Sequence, residues 1–218
     1  MLFYSFILYG LAGYLNALTI LSLNTTTGVH TGNISNIYMH FINNQYKLSF
    51  ELLFYVLIFI TGSAIVGYFT RHKIQFKLRM NQFAGIHIMT AFFLLFAHQF
   101  NWSRYAISSI ISLRMGMQNA FPVTTPNKRI RTTSLTGLIT ELGIKIGGIA
   151  QTKYKKEIEA LFFNFMYLAA FSIGVIISAF LYYKVSLRVN VLFISIIELL
   201  TAIYCLYTGT LKNNKKHH

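Results

Sequence analysis

Aspartate is missing from all 218 residues, and the acidic complement is five glutamates: Glu51, Glu141, Glu157, Glu159 and Glu198. Charged residues of either sign make up only 11% of the chain, whereas a soluble domain is about a quarter charged. Too few polar side chains remain to cover a water-soluble surface, which argues against a soluble enzyme. Disorder is excluded too, because 55% hydrophobic and 16% aromatic content is the reverse of a disordered composition. The single cysteine, Cys205, lies in an apolar run and can form no internal disulfide. Catalytic signatures are also absent. There is no His-Glu-x-x-His, no Gly-x-Ser-x-Gly and no phosphate loop, and the histidines (His87 and His98 in one span, His217 and His218 in the tail) form no metal-ligand pattern. The expectation is a protein without cofactor, metal or embedded catalytic centre.

What is plentiful is apolar length and positive charge. A bilayer core of ~30 Å takes ~20 helical residues, and six segments reach that length, roughly 2–23, 50–70, 80–99, 103–122, 158–183 and 190–210. Two others, 31–45 and 132–150, have helical character but are shorter or more polar, and would cross lipid poorly. The net charge of +14 comes from basic residues placed between apolar runs. That placement encodes topology and attracts anionic lipid; it is not the basic face of a nucleic-acid-binding domain. If neither short segment crosses, 14 basic residues fall on one side and 4 on the other, with Arg114 inside the membrane; if both cross, the split is 9 against 8. The positive-inside rule selects six crossings with both termini cytoplasmic. Met1–Ser5 has no basic n-region and no small-residue cleavage site, so it reads as part of a retained span. Residues 1–218 then form one membrane domain ending in a basic tail over 212–218.

An internal repeat organises these segments. Gly13-Tyr-Leu-Asn16-Ala17 is followed after thirteen residues by Thr31-Gly32, and Gly116-Met-Gln-Asn119-Ala120 after fifteen by Thr136-Gly137. Each half, about 1–100 and 101–212, then carries an apolar helix with small residues at its middle: Gly62, Ser63 and Gly67 in one, Ala170, Gly174 and Ser178 in the other. Such residues let helices approach closely in lipid. Three crossings per half force the halves into opposite orientations, an inverted 3+3 repeat of the kind found in secondary transporters.

The two short segments read as re-entrant helices. Each opens on Thr-Gly after a Thr-rich loop, Asn24-Thr-Thr-Thr-Gly28 or Arg131-Thr-Thr-Ser134. A helix that stops at the midplane presents free N–H groups and about half a positive charge there. Thr31, Gly32, Asn33, Thr136 and Gly137 are therefore expected to cradle a small polar or anionic solute, with Asn16 and Asn119 lining the site from helices packed on the short segments. Asn16 and Asn119 serve equally well as interhelical glue. His30 and Glu141 stand beside the cradle, although Glu141 can equally be a solvated carboxylate near Lys145. Arg114, the one basic residue deep in a span, shares its helix face with Gln118, away from Gly116 and Asn119. Helical rise puts Glu198 ~12 Å and Arg114 ~16 Å from the outer face, which suggests a buried ion pair.

Met115-Gly-Met-Gln-Asn-Ala120 followed by Arg131-Thr-Thr-Ser-Leu-Thr-Gly137 resembles the two-part signature of the YoaK-like membrane proteins, a domain of unknown function. Gly13-Tyr-Leu-Asn-Ala17 with His30-Thr-Gly-Asn33 is similar to that family's N-terminal motif. The resemblance implies a bacterial inner-membrane protein of about six helices. It departs from the family at Asn16, usually Asp, and at Leu138, where some relatives have Asn. The combined expectation is an all-α polytopic protein of six spans and two re-entrant helices. It acts as a transporter or channel-like carrier whose partners are the bilayer and a small solute, with no nucleic acid and with homo-oligomerisation left open. A non-transporting scaffold is the alternative.

Overall fold

The computed structural model describes residues 2–26, 28, 30–69, 76–123, 135–152 and 155–214. These form eight helices: α1 (Leu2–Leu23), α2 (His30–Ile42), α3 (Tyr46–Phe69), α4 (Phe76–Gln99), α5 (Arg104–Val123), α6 (Leu135–Thr152), α7 (Lys155–Lys184) and α8 (Leu187–Asn214). No strand occurs among the described residues. Side-chain caps mark two of the starts: Ser103 Oγ accepts from Ala106 N and Ser186 Oγ from Val189 N, opening α5 and α8. Asparagine, which tolerates left-handed backbone better than most residues, marks three of the ends. Asn24, Asn44 and Asn101 have φ of 54°, 59° and 50° just after α1, α2 and α4.

Five helices are long and apolar enough to cross a membrane: Phe3–Leu23, Tyr46–Phe69, Met80–Gln99, Ile158–Lys184 and Leu187–Thr210. The sixth segment expected to span, α5, is not among them. Its 20 residues include Arg104, Ser108, Ser109, Ser112, Arg114, Gln118 and Asn119. It tolerates them because neighbouring helices surround it: it packs against α1, α3 and α4, and every residue from Arg114 to Gln118 is buried. The perimeter is the opposite. Only 22% of the apolar stretch of α3, and likewise of α7, is buried, leaving Phe50, Phe54, Ile60, Phe162, Ile176 and Phe180 exposed. An apolar belt that wide suits lipid, not water. The chain is a helical membrane protein.

Three pairs carry the packing, α1 with α7, α3 with α5, and α4 with α8, while α2 lies on α3 and α6 on α7. Exchanging α1–α4 with α5–α8 maps every one of these pairs onto a pair that is also present. Among the described residues, the one contact without a counterpart is α7 with α8, since α3 and α4 show none. Four glycines set the two closest crossings. A Cβ at Gly13 would lie 2.0 Å from the Phe171 carbonyl oxygen, and one at Gly174 2.0 Å from that of Gly10. At Gly116 it would lie 2.1 Å from the Phe59 oxygen, and at Gly62 2.2 Å from that of Leu113. In each case the glycine meets the carbonyl three residues before its partner glycine. Backbones this close are held by dispersion and Cα–H···O contacts, since lipid supplies no hydrophobic drive between helices. Two hydroxyls add to the α3–α5 crossing: Ser63 Oγ donates to Gly116 O at 3.0 Å, and Ser112 Oγ to Tyr55 O at 2.8 Å.

Gly13→Ala or Gly116→Ala is expected to destabilise the protein by about 1–3 kcal/mol or more, the usual cost of overpacking. Gly67→Ala, whose Cβ meets nothing within 4 Å, should be neutral or slightly stabilising through helix propensity. Thermal unfolding in detergent separates the two outcomes.

Candidate functional site

Two features collect the polar chemistry. The first is a buried charge cluster where four helices meet. Arg114 Nε on α5 donates to Glu198 Oε1 on α8 at 2.8 Å. His87 Nδ1 on α4 bonds the other carboxylate oxygen, Oε2. Because the carboxylate can only accept, Nδ1 carries the proton, and Nε2 is left to accept from the Tyr4 hydroxyl on α1 at 3.1 Å. Glu198 is 0% exposed, and Arg114 and His87 2% each. His87 and Glu198 are each the twelfth residue of their helices, so they meet where α4 and α8 cross. The cluster holds one full cation and one full anion, and both carboxylate oxygens are bonded. A buried charge is tolerable only when paired in this way.

The second feature is the pair of short helices. Ser49 Oγ on α3 donates to Ile37 O on α2, and the His30 ring lies edge-on to Phe59 at 4.4 Å. Thus α2 runs antiparallel to α3 and starts thirteen residues into it, about 20 Å along at helical rise. Leu138 packs with Tyr167, and Asn164 Nδ2 donates to Glu141 Oε2 at 3.3 Å, so α6 lies on α7 in the same manner. Phe59 and Phe171 are the residues whose carbonyls face Gly116 and Gly13. Both short helices therefore begin at the depth of the glycine crossings.

They do not meet there. Among the described residues the backbone of α2 packs on α3 and that of α6 on α7, and α2 and α6 do not contact each other. The two helix ends expected to form one cradle therefore rest on separate partner helices and not on each other. The Asn43–Gln45 turn folds α2 straight back onto α3, which pairs with α5, whereas α6 lies on α7, which pairs with α1. A second correction concerns the Gly13 and Gly116 faces, which were expected against the short helices. They instead pack on α7 and α3.

The individual side chains divide as follows. Thr31, Gly32, Thr136 and Gly137 are exposed. Asn33 is buried and used locally. Its Oδ1 accepts from Thr25 Oγ1 at 3.4 Å and Thr26 Oγ1 at 3.2 Å, its Nδ2 donates to Thr26 O, and His30 Nδ1 lies 3.4 Å from Nδ2. Asn33 therefore clamps the loop that enters α2. The corresponding loop at 131–134 lies outside the described residues. Asn16 is half-buried and its Oδ1 has no partner, whereas Asn119 is half-buried on the opposite pair. Gln118 Nε2 donates to Leu8 O at 2.9 Å, tying α5 to α1. Glu141, 60% exposed, also reaches Lys145 Nζ at 3.6 Å.

Two functional positions escaped the sequence reading. His87 completes the charge cluster. Its signal was an isolated titratable side chain deep in an apolar span, together with a carboxylate oxygen left over by a single arginine bond. Asn190, 0% exposed, is the other. Its Nδ2 donates to Ser178 O at 2.8 Å, and its carbonyl accepts from the Tyr14 hydroxyl at 3.0 Å, joining α8, α7 and α1.

Arg114→Leu alone strands Glu198 and is expected to cost about 3–5 kcal/mol. Adding Glu198→Gln, which removes the orphaned charge but still accepts from His87, should recover most of that loss. Equal stability of the single and double variants in thermal unfolding would contradict the pairing.

Comparison with curated proteins and with solved structures finds no match. Over residues 4–205 the chain matches the family described as Protein of unknown function (DUF1275), and it belongs to that family.

Proposed function

We propose that the chain is a small carrier of a polar or anionic solute in the bacterial inner membrane. It has six crossings, both termini in the cytoplasm, and two inverted halves that rock about the glycine crossings. The observation that carries this reading is that α2 and α6, of 13 and 18 residues, both start at the depth of those crossings and leave toward opposite ends of the bundle. Their directions follow from the bonds. The α3–α5 pair is parallel, since Tyr55 bonds Ser112 and Gly116 bonds Ser63 further along both helices. The α1–α7 pair is parallel as well, Tyr9 stacking on Tyr167 and Gly13 meeting Phe171. By contrast α1 and α5 are antiparallel: Gln118 bonds Leu8 near one end and Arg104 bonds Ser22 near the other. It follows that α3 and α7 oppose each other, and with them α2 and α6. This arrangement supports an inverted repeat with re-entrant helices.

Each exposed Thr-Gly end then offers N–H groups and a positive helix terminus to a solute. Two separate ends at one depth, pointing to opposite faces, suit a carrier that exposes its solute first to one side and then to the other. Asn16, with its unpartnered Oδ1, lies one turn from Gly13 and lines the path from the α1 side.

The test uses Cys205→Ser protein carrying a single cysteine at Thr31 or Thr136, reconstituted in vesicles and labelled with a membrane-impermeant maleimide. Opposite sidedness of labelling, slowed by a transported solute in a flux screen of small anions and polar metabolites, is expected. Labelling of both positions from one face, with no flux for any solute, would establish the scaffold reading instead.

A further inference from the structure

One departure from the exchange of halves leaves an open space. Among the described residues α7 and α8 touch, but their counterparts α3 and α4 do not, and two cavities fill the gap between them over α5. One, of about 320 Å³, extends from Trp102 past Phe93 to Arg114. The other, of about 510 Å³, continues toward Phe69 and Gly85. Met89 and Leu113 line both, so the two form one groove along α5. Phe93 and Phe69 at its margin are 39% and 61% exposed, and the groove opens on the side of the lipid-facing belt.

The same place breaks the chemical symmetry. Two residues before Gly13 the first half has Leu11, whereas two residues before Gly116 the second half has Arg114. The Arg114 guanidinium is only partly used. Nε is taken by Glu198, Nη1 has the weak acceptor Met115 Sδ at 3.9 Å, and Nη2 is buried with no partner. A buried charged donor left unbonded is costly, and an acceptor arriving in the groove would satisfy it. The free edge of a guanidinium can donate to the carbonyl oxygen of a carboxyl group.

We infer that this groove is a binding site for a long-chain fatty acid that enters sideways from the bilayer, its carboxyl group on Arg114 and its chain along the apolar walls. Depth selects the occupant. Arg114 is the eleventh residue of α5, about 15 Å from the helix start, too deep for a glycerophosphate head that must stay at the interface. A carboxyl group is small and can shed its charge by keeping a proton, so it reaches that depth at lower cost. Arg114 is already neutralised by Glu198, and a protonated acid leaves the balance of the site unchanged.

The experiment measures cis-parinaric acid fluorescence on the purified full chain in detergent, competed by palmitic acid, hexadecanol, hexadecane and dioleoyl phosphatidylglycerol. Saturable binding displaced by palmitic acid alone is expected. Gly85→Phe fills the groove where a Cβ meets nothing within 4 Å. It should fold with an unchanged unfolding temperature and bind the probe at least tenfold more weakly. Arg114→Lys, which keeps the charge on Glu198 paired, should weaken palmitic acid while leaving hexadecane competition as it was. The inference is overturned by unchanged probe binding in Gly85→Phe, by hexadecanol or the phospholipid competing as well as palmitic acid, or by Gly85→Phe converting a dimer to a monomer without loss of probe. That last result would assign the groove to a second copy of the chain.

Discussion

Four glycines decide how this protein can be built. At Gly13, Gly62, Gly116 and Gly174 the space a Cβ would occupy is taken by the backbone of another helix. Helices at that separation gain dense dispersion contact along their whole length, which in lipid is the main attraction between apolar segments. The two crossings also have the same geometry, each glycine facing the carbonyl three positions before its partner. The α1–α7 and α3–α5 pairs thus act as two matched units. Everything else attaches to them: α2 and α6 as hairpin partners of α3 and α7, and α4 and α8 as a third pair.

That third pair is joined by charge. Glu198 binds His87 and Arg114 at once, so α4, α5 and α8 share one carboxylate, and Tyr4 extends the chain of bonds to α1. The two devices differ in kind. Glycine crossings rest on close backbone contact, reinforced at α3–α5 by the Ser63 and Ser112 hydroxyls. The buried cluster is directional and strongly penalises any separation of its members. The cluster joins α4 to α8 and also takes in α5 and α1, so it links helices that the glycine crossings also pair. Among the described residues the unmatched gap between α3 and α4 lies beside Arg114.

Local properties were legible in the sequence, and lateral neighbours were not. Runs of apolar residues mark the long helices, and the glycine and serine positions in α3 and α7 mark faces that admit a close partner. The same face logic applied to Gly13 and Gly116 chose the wrong partner, because periodicity names a face without saying which helix stands opposite. Helix depth alone sets Arg114 and Glu198 within reach of each other, since both distances are counted from one membrane face. It could not bring in His87, because that needs α4 and α8 to be neighbours, a fact carried by tertiary packing. The polar starts of α2 and α6 are visible as Thr-Gly steps, whereas the helices they pack on, α3 and α7, are set by tertiary packing. For α5 length and hydropathy part company: its 20 residues reach spanning length, but Arg104, Arg114, Gln118, Asn119 and the serines keep it out of the five long apolar helices.

The most direct measurement of the rocking mechanism is the distance between spin labels at the two ends of α3 and α7 in a lipid membrane. These helices are antiparallel, so exposed Tyr46 pairs with Tyr183 at one end and exposed Tyr68 with Ile158 at the other. Rocking about the glycine crossings requires two populations for each pair, with a transported solute lengthening one distance as it shortens the other. A single narrow distance at both ends, unmoved by any solute, would contradict alternating access and leave the glycine crossings as fixed joints.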